Sequence, residues 1–183
     1  ILIDGDRIDI WASAPPLVSN GVRYGNDSIE YIRSTDGGKT WTEWKTVLYP
    51  TLNSEDQWST CDPGAFKYGD YYYVGYTGSP EFRTNPDKEK QVNNLFIARA
   101  KNPEGPYEKW NGSGWGGDPV PVVKFDGWEM HNGACWGAGE LSFVVVDDSL
   151  YVYYTWRGLN SSFNQMVEEI GHLVEDIRVE ELN

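Results

Sequence analysis

Two carboxylates are candidates for acid and base chemistry, and each stands at the start of a long aromatic hairpin. Asp62 is the second residue of "CDPGAFKYGDYYYVGYTGS", and Glu140 lies in "WGAGELSFVVVDDSLYVYYTW", 78 positions further along the chain. Asp and Pro are both depleted in strands, so strand propensity does not explain why Asp62 and Pro63 begin one. Two carboxylates on one surface can act as a general acid and a general base. Whether these two meet depends on the elements that carry them.

The hairpins that follow the two carboxylates belong to an internal repeat. "GDRIDIWAS" (5–13) aligns without gaps on "GDYYYVGYT" (69–77), 64 positions later, and "DDSLYVYYT" (147–155) lies 78 positions beyond that. Each copy has a two-residue acidic or Gly turn before a longer aromatic strand. This pattern predicts a β-hairpin in each copy.

The similarity continues into the outer half of the first two units. "RSTDGGKTWTEW" (33–44) lies over "RAKNPEGPYEKW" (99–110) at an offset of 66, and the first Arg and the last Trp are identical. Each unit therefore predicts four antiparallel strands, which is typical of a β-propeller blade with long loops. A β-sandwich is the alternative, since short strands with turn signals also describe one. The internal repeat favours the propeller.

One turn of the first unit carries a motif found in propeller blades. "STDGGKTW" (34–41) fits the pattern Ser-x-Asp-x-Gly-x-Thr-Trp, the Asp box, through Ser34, Asp36, Gly38 and Trp41. The Asp can accept hydrogen bonds from turn amides, the Gly can take a positive φ, and the Trp can pack under the hairpin. We therefore expect Asp36 to be structural rather than catalytic.

The repeat predicts that Asp62 and Glu140 converge. The innermost strands of a propeller surround a central channel, so equivalent positions at their entrances face one funnel. The equivalent position of the first unit is 64 residues before Asp62, three residues upstream of Ile1. Like charges crowded in a partly dry funnel push pKa values apart and give acid and base roles at one pH. In the alternative interpretation Asp62 caps a loop and Glu140 is a solvated rim residue.

Over roughly residues 1–157 the units resemble blades of the five-bladed β-propeller glycoside hydrolases, most of all glycoside hydrolase family 43. The resemblance implies that Glu140 is the general acid and that Asp62 tunes the pKa of the acid and orients it. The family's general base, an Asp on the first blade, would fall upstream of Ile1. The resemblance thus implies an inverting hydrolase of arabinose- or xylose-containing polysaccharides, and a chain that is inactive without this base.

Other functions remain open. A non-catalytic carbohydrate-binding propeller would keep aromatic platforms without turnover. Glycoside hydrolase family 32 has Arg-Asp-Pro where this chain has Cys61-Asp62-Pro63, and Glu-Cys where it has Glu140-Leu141. Family 43 usually has Glu-Gly-Pro at the motif that begins with Glu140. Sialidases share the Asp box, but they repeat it several times and use a Tyr nucleophile.

Further side chains near the predicted funnel could bind sugar. His131 lies on a Gly-rich loop nine residues before Glu140, where its imidazole could bond a sugar hydroxyl or simply be satisfied by backbone. Arg157 could bond hydroxyls or pair with an acid. Aromatic rings with a polar edge suit sugars, although Tyr and Trp also fill ordinary sheet surfaces. The Trp candidates for stacking on sugar are Trp11, Trp128, Trp136 and Trp156.

Composition excludes several classes of partner. The net charge is −13, whereas nucleic acid needs a basic patch that displaces counterions, and an anionic membrane surface is equally disfavoured. No apolar run approaches the roughly 20 residues that span a bilayer. With 15% aromatic residues, the expected partner is an oligo- or polysaccharide.

The sequence predicts no cofactor. Some family 43 relatives hold a central Ca²⁺, but no oxygen-ligand spacing like that of an EF-hand loop is present here, so no metal is predicted. Cys61 and Cys135 fit neither a disulfide scaffold nor a zinc site, and either form one bridge or stay two thiols. The chain has neither a signal peptide nor an initiator Met. A leader could have been removed, and we expect an extracellular or periplasmic location.

The pattern changes after Arg157. Apolar residues with helical spacing and acidic neighbours predict an amphipathic helix over 161–183. The predicted domains are thus an incomplete propeller over 1–160 and this helix, with blade 1 at about 1–50, blade 2 at about 61–125 and blade 3 from about 138. So few blades cannot close a five-bladed ring. We therefore expect a fragment that can self-associate through open blade edges. The residues that set the helical spacing are Met166, Ile170, Leu173, Val174 and Ile177.

Overall fold

The computed structural model is built from antiparallel β-sheets throughout the part of the chain that it describes. Its backbone covers residues 1–19, 22–24, 26–80, 93–124, 135–146, 149–160 and 165–178, and its side chains cover 1–16, 26–80, 93–124, 139–146 and 149–155. Within these ranges no helix is long and apolar enough to cross a membrane.

Sheet I is formed by the first repeat unit. Its four strands have the order β1-β2-β5-β6, and a separate hairpin of β3 (Leu17–Ser19) and β4 (Val22–Tyr24) is inserted between β2 and β5. The turn between β1 and β2 contains Gly5 with a φ of 59°, a left-handed conformation that only Gly adopts without steric cost. The strands of sheet I are β1 (Leu2–Asp4), β2 (Arg7–Ala14), β5 (Ser28–Ser34) and β6 (Lys45–Leu48).

Sheet II is formed by the second unit and has the same plan. Its order is β10-β9-β8-β7, and its third strand, β9, spans 94–100, which is β5 displaced by the predicted offset of 66. The prediction of four antiparallel strands is therefore confirmed for the first two units. The strands of sheet II are β7 (Ser59–Tyr68), β8 (Tyr71–Ser79), β9 (Asn94–Ala100) and β10 (Glu108–Lys109).

Sheet III contains the third copy of the hairpin. Its three described strands have the order β11-β12-β13. They are β11 (Cys135–Val146), β12 (Ser149–Asn160) and β13 (Gln165–Arg178).

The predicted C-terminal helix is wrong over Gln165–Arg178, where the chain is a strand. This strand, β13, pairs antiparallel with β12, from Ser149 opposite Arg178 to Asn160 opposite Gln165. Without β13, one edge of β12 would leave its N–H and C=O groups unpaired, and tertiary pairing of this kind readily overrides helical periodicity. The outer parts of the predicted helix, 161–164 and 179–183, lie outside the described residues.

Sheet II is buried on both faces because it lies between the other two sheets. Side chains alternate along a strand, so neighbouring residues of sheet II point to opposite cores: Tyr73 lies in the core shared with sheet III, and Val74 in the core shared with sheet I. This explains why β8 is an almost continuous aromatic and apolar run. The core against sheet I consists of Trp11, Ile29, Tyr31, Leu48, Val74, Tyr76, Phe96 and Ala98. The core against sheet III consists of Phe66, Tyr73, Leu95, Ile97, Val123, Leu141, Leu150, Val152 and Tyr154.

Candidate active site

Asp62 lies in a β-bulge of β7. The pairing of β7 with β8 shifts between Cys61 and Gly64, so that Asp62 and Pro63 together oppose one residue of β8. A bulge leaves a residue out of the hydrogen-bond ladder, which is why the strand accommodates Pro here. The backbone of Asp62 is left-handed, with a φ of 53°. The bulge therefore turns the Asp62 side chain out of the regular alternation of the strand.

Glu140 lies at the same position of a matching bulge in β11. The pairing of β11 with β12 shifts between Gly139 and Ser142, and Glu140 has a φ of 55°. A left-handed backbone is uncommon at a residue other than Gly. Its strain costs on the order of 1–3 kcal/mol and is typically concentrated at functional sites. The offset of 78 thus relates two carboxylates that share one strained backbone geometry.

The two carboxylates line one open concavity with a volume of about 340 Å³. Glu140 is exposed and Asp62 is half-buried. The structure thus brings together, at one open concavity, the two carboxylates that the sequence predicted as catalytic. The residues lining the concavity are Trp11, Asp62, Pro63, Glu140 and Leu141.

Asp62 is held by contacts from its own sheet and from sheet I. Its N–H donates to Ser13 Oγ of β2 at 2.7 Å, and its Oδ2 accepts from the thiol of Cys61 at 3.3 Å. Cys61 itself is buried, with 7% of the residue exposed. A Cβ added to Gly139 would lie 3.9 Å from Asp62 Oδ2, so the Asp62 carboxylate lies close to the residue that precedes Glu140.

Glu140 is likewise held from two sheets. Its Oε2 accepts from Thr155 Oγ1 of β12 at 2.8 Å, and its N–H donates to Thr77 Oγ1 of β8 at 3.3 Å. The sequence predictions did not include Ser13, Thr77 or Thr155, although these residues end the three aligned copies of the repeat. A hydroxyl at the last position of every copy was the signal that could have identified them.

Trp11 contributes a wall of the concavity rather than an exposed platform, because only 5% of the residue is exposed. Its indole N–H donates to Tyr107 Oη at 2.9 Å and faces the carbonyl of Pro103 at 3.3 Å, which fixes the ring between sheets I and II. Burial strongly raises the pKa of the Tyr107 hydroxyl, partly opposed by the hydrogen bond from Trp11. The neutral hydroxyl accepts from Trp11 and donates to the carbonyl of Pro103 at 2.8 Å.

A buried carboxylate, Asp9, supports the Trp11 wall from within sheet I. Tyr31 packs on Trp11 at a centroid distance of 5.2 Å and donates its hydroxyl to Asp9. Arg7 Nε and Arg33 Nε contact the same carboxylate at 2.7 and 3.1 Å. Burial alone would raise the pKa of Asp9, but the hydrogen bonds from Tyr31, Arg7 and Arg33 outweigh it and hold the pKa below its ordinary value. Asp9 is thus an ionised structural anchor.

The remaining predicted sugar-binding residues are described in part or not at all. His131 and Trp128 lie outside the described residues. Trp136, Trp156 and Arg157 are described by their backbone: the first is in β11 and the other two are in β12. Their roles in binding stay predictions.

The turn that carries the predicted Asp box joins β5 to β6. Asp36 Oδ1 accepts from Ser34 Oγ at 2.8 Å and from the N–H groups of Lys39 and Thr40 at 3.0 and 2.9 Å. Trp41 Nε1 donates to the carbonyl of Gly38 at 3.0 Å, and Gly38 has a φ of 88°. Every one of these contacts is internal to the turn, as expected for a structural rather than a catalytic Asp.

The described residues contain no group of three or more His, Cys, Asp or Glu side chains arranged to hold a metal ion.

Three solved glycoside hydrolases share this fold. A thermostable family 43 glycoside hydrolase is 20% identical with a TM-score of 0.62, and the match covers 96% of this chain and 54% of that enzyme. A family 117 glycoside hydrolase of the marine bacterium Zobellia galactanivorans is 18% identical with a TM-score of 0.65, covering 96% and 50%. A family 32 β-fructofuranosidase of Bombyx mori, a variant solved with sucrose, is 12% identical with a TM-score of 0.55, covering 98% and 34%.

At these identities the likeness concerns the fold. No protein-family profile and no curated protein matches the sequence. The chain spans about half the length of the family 43 and family 117 enzymes, at 54% and 50%. The predicted resemblance to the glycoside hydrolase propellers, most of all to family 43, is confirmed at the level of the fold. The three sheets are therefore blades of a partial β-propeller.

Proposed function

We propose that this chain is part of a glycoside hydrolase that cleaves arabinose- or xylose-containing polysaccharides with inversion at the anomeric carbon. The observation that carries the proposal is the pair formed by Asp62 and Glu140. Both carboxylates sit at the same position of matching bulges, with φ angles of 53° and 55°, and both line one open concavity. A polysaccharide substrate also supports the proposal of an extracellular or periplasmic location.

In this mechanism Glu140 is the acid. As the glycosidic C–O bond breaks, the proton of the Glu140 carboxylic acid passes to the leaving oxygen, while a base deprotonates the water that attacks the anomeric carbon from the opposite face. Asp62 orients Glu140 and the sugar. The base is not one of the two carboxylates that this proposal assigns, so hydrolysis is tested on the natural full-length protein.

The test is glycan hydrolysis by the natural full-length protein, measured as new reducing ends from arabinan and arabinoxylan. Removing a general acid costs about 10²- to 10⁴-fold in rate, so we expect that loss in kcat for Glu140→Gln. The loss should be much smaller with a p-nitrophenyl glycoside, because that leaving group needs no protonation. NMR of the first anomer released tests inversion.

Glu43→Gln is the matched control, because Glu43 is an exposed carboxylate outside the concavity. Its kcat should equal that of the wild type. Equal losses of Glu140→Gln on polysaccharide and on the p-nitrophenyl glycoside would contradict the acid role. Binding of oligosaccharide without turnover, unaffected by Glu140→Gln, would instead support the non-catalytic carbohydrate-binding propeller.

A further inference from the structure

The two carboxylate bulges share a second feature, which is a hydroxyl from the preceding sheet. Ser13 and Thr77 are equivalent in the repeat, separated by the same offset of 64 that relates sheets I and II. Ser13 of sheet I accepts the N–H of Asp62 in sheet II at 2.7 Å. Thr77 of sheet II accepts the N–H of Glu140 in sheet III at 3.3 Å. Equivalent hydroxyls thus bind equivalent carboxylate residues, each across a boundary between sheets.

The bulge explains why these N–H groups need a partner from elsewhere. The extra residue of a β-bulge is left out of the ladder of its own sheet, and Asp62 and Glu140 are the left-handed residues of their bulges. A left-handed conformation at a residue other than Gly is strained and persists only where its surroundings hold it. The hydroxyl of the neighbouring sheet supplies one such restraint directly at the strained residue.

We propose that Ser13 and Thr77 are positioning residues, which fix the strained bulges so that Asp62 and Glu140 face the concavity. The catalytic consequence rests on the proposed function, whereas the positioning itself does not. Thr155 ends the third copy of the repeat and contacts the Glu140 carboxylate itself, through Oε2 at 2.8 Å. Glu140 is therefore restrained at its amide by sheet II and at its carboxylate by β12, the neighbouring strand in its own sheet.

The repeat also supplies the conservative variants. Ser stands at position 13 where Thr stands at position 77, so either hydroxyl can occupy this place in a blade. Thr77→Val keeps the shape of the side chain and removes the hydroxyl, whereas Thr77→Ser keeps the hydroxyl. Ser13→Ala and Ser13→Thr form the corresponding pair for Asp62.

Thr42→Val is the matched control for loss of a hydroxyl. Thr42 Oγ1 also accepts a backbone N–H, that of Arg33, at 3.1 Å. This bond lies beside the Asp-box turn, outside the residues that line the concavity. Thr42→Val therefore shows the effect of losing an amide-binding hydroxyl away from the concavity, and a loss of positioning should affect Thr77→Val alone.

The first measurement is hydrogen exchange at single-amide resolution in the natural full-length protein. We expect the Glu140 amide to exchange faster in Thr77→Val while the Asp62 amide keeps its wild-type rate, and the reverse in Ser13→Ala. Thr77→Ser and Ser13→Thr keep the hydroxyl, so in these variants both amides should exchange at their wild-type rates. A Glu140 amide that exchanges at the wild-type rate in Thr77→Val, with φ unchanged in its crystal structure, would overturn the proposal.

The second measurement is steady-state kinetics on arabinan or arabinoxylan. Misplacement of a reacting group by about 1 Å can cost roughly 10²-fold. We therefore expect Thr77→Val to lower kcat about 10- to 100-fold with KM little changed, and Thr77→Ser to recover most of the loss. Equal kcat in Thr77→Val and Thr42→Val would overturn the proposal. If the natural protein hydrolyses no glycan, the proposed function fails. The positioning role of Ser13 and Thr77 is then tested by the amide exchange rates and the crystallographic φ angles alone.

Discussion

Asp62 and Glu140 have almost the same φ, 53° and 55°, at the same position of two successive bulges. For an L-residue other than Gly the left-handed conformation costs roughly 1–2 kcal/mol. Gly would avoid this cost at both positions, yet both hold a carboxylate. The fold therefore gives up stability at the two places where a carboxylate faces the concavity, as expected where the side chain serves function.

Replacing Asp62 tests this strain. We expect Asp62→Gly to be more stable than Asp62→Ala by about 1 kcal/mol, because Gly relieves the left-handed strain and both variants lose the same carboxylate. Lys67, in a regular part of the same strand, is the control, and there Ala should be more stable than Gly by about 0.5–1 kcal/mol. Urea unfolding measures both differences. If Ala is more stable than Gly at position 62 as well as at position 67, the backbone of Asp62 is not strained.

The repeat was sufficient to predict the positions of the two carboxylates. The second and third copies align without gaps, so residues 78 positions apart have the same place in the strand pairing. The two bulges therefore correspond residue by residue. The bulges themselves could not be predicted, because their left-handed residues are Asp and Glu rather than the Gly that marks such a conformation. Only the Pro63 that follows Asp62 hinted that the ladder is broken there.

Two other features were missed for different physical reasons. The stretch Gln165–Arg178 has helical spacing, but an unpaired edge of β12 is available to it, and pairing decides its structure. The pair formed by Lys109 and Asp56 joins residues 53 positions apart. Lys109 lies in the aligned segment 99–110, but the first unit has Glu43 at the equivalent position, so the repeat gives no sign of this pair. Sequence periodicity reports which face of an element is apolar, whereas such a pair depends on how a strand and a loop that are distant in sequence meet.

Two facing glycines make room for sheet III on sheet II. Gly64 and Gly75 pair across β7 and β8, and a Cβ added to Gly75 would lie 2.2 Å from Phe143 Cζ. We expect Gly75→Ala to lower the free energy of unfolding by about 1–3 kcal/mol, as overpacking does. Phe143→Leu should relieve part of this loss, because the clash is with the end of the ring. A double-mutant cycle in urea measures the coupling.

Gly64→Ala is the matched comparison, because its Cβ would meet the backbone. That Cβ would lie 2.5 Å from the carbonyl oxygen of Leu141, so a smaller side chain at Phe143 cannot relieve the contact. Phe143 Cδ2 would lie at 3.2 Å as well, so we expect a coupling between Gly64→Ala and Phe143→Leu that is weaker than that of Gly75→Ala. Since Leu141 directly follows Glu140, Gly64→Ala should also disturb the Glu140 bulge. Equal coupling of both glycines to Phe143 would contradict this packing.

The Asp-box carboxylate predicts a pH dependence of stability. The hydrogen bonds that Thr40 donates from its hydroxyl and its N–H, with those from Ser34 and Lys39, hold the pKa of Asp36 at about 2. An unfolded Asp titrates near 3.9. A depressed pKa in the folded state gives stability that is present above the unfolded pKa and lost as the pH falls through the folded one. The stability advantage over Asp36→Asn should therefore be constant above about pH 5 and shrink towards about pH 2.

Unfolding curves of wild type and Asp36→Asn between neutral pH and pH 2 check this dependence. Thr40→Val should raise the pKa of Asp36, followed by NMR, because it removes a hydroxyl that donates to Oδ2 at 2.6 Å. Thr42→Val should leave that pKa unchanged, since Thr42 bonds to the N–H of Arg33 instead. An advantage that grows as the pH falls would contradict the sign.

A buried ion pair connects β10 to the loop that precedes β7. Lys109 Nζ lies 2.5 Å from Asp56 Oδ2, and the two residues are 8% and 0% exposed. Lys109 Nζ also donates to the carbonyl of Tyr49 at 2.6 Å and to Thr51 Oγ1 at 3.0 Å. Burial lowers the pKa of Lys109, and the Asp56 carboxylate opposes that shift and favours the charged form. The two charges therefore depend on each other.

Lys109→Met should destabilise the fold by about 3–5 kcal/mol, because it leaves the Asp56 carboxylate buried without its cation. Asp56→Asn combined with Lys109→Met should cost less than the sum of the single losses, since no buried charge is then left uncompensated. Lys45→Met is the control: its exposed ion pair with Glu104 at 3.7 Å should be worth no more than about 1 kcal/mol. If Lys109→Met costs no more than Lys45→Met, the pair does not hold the loop. If the double variant equals the sum, the two charges act independently, and the destabilisation comes from the lost hydrogen bonds of Lys109 Nζ to Tyr49 and Thr51.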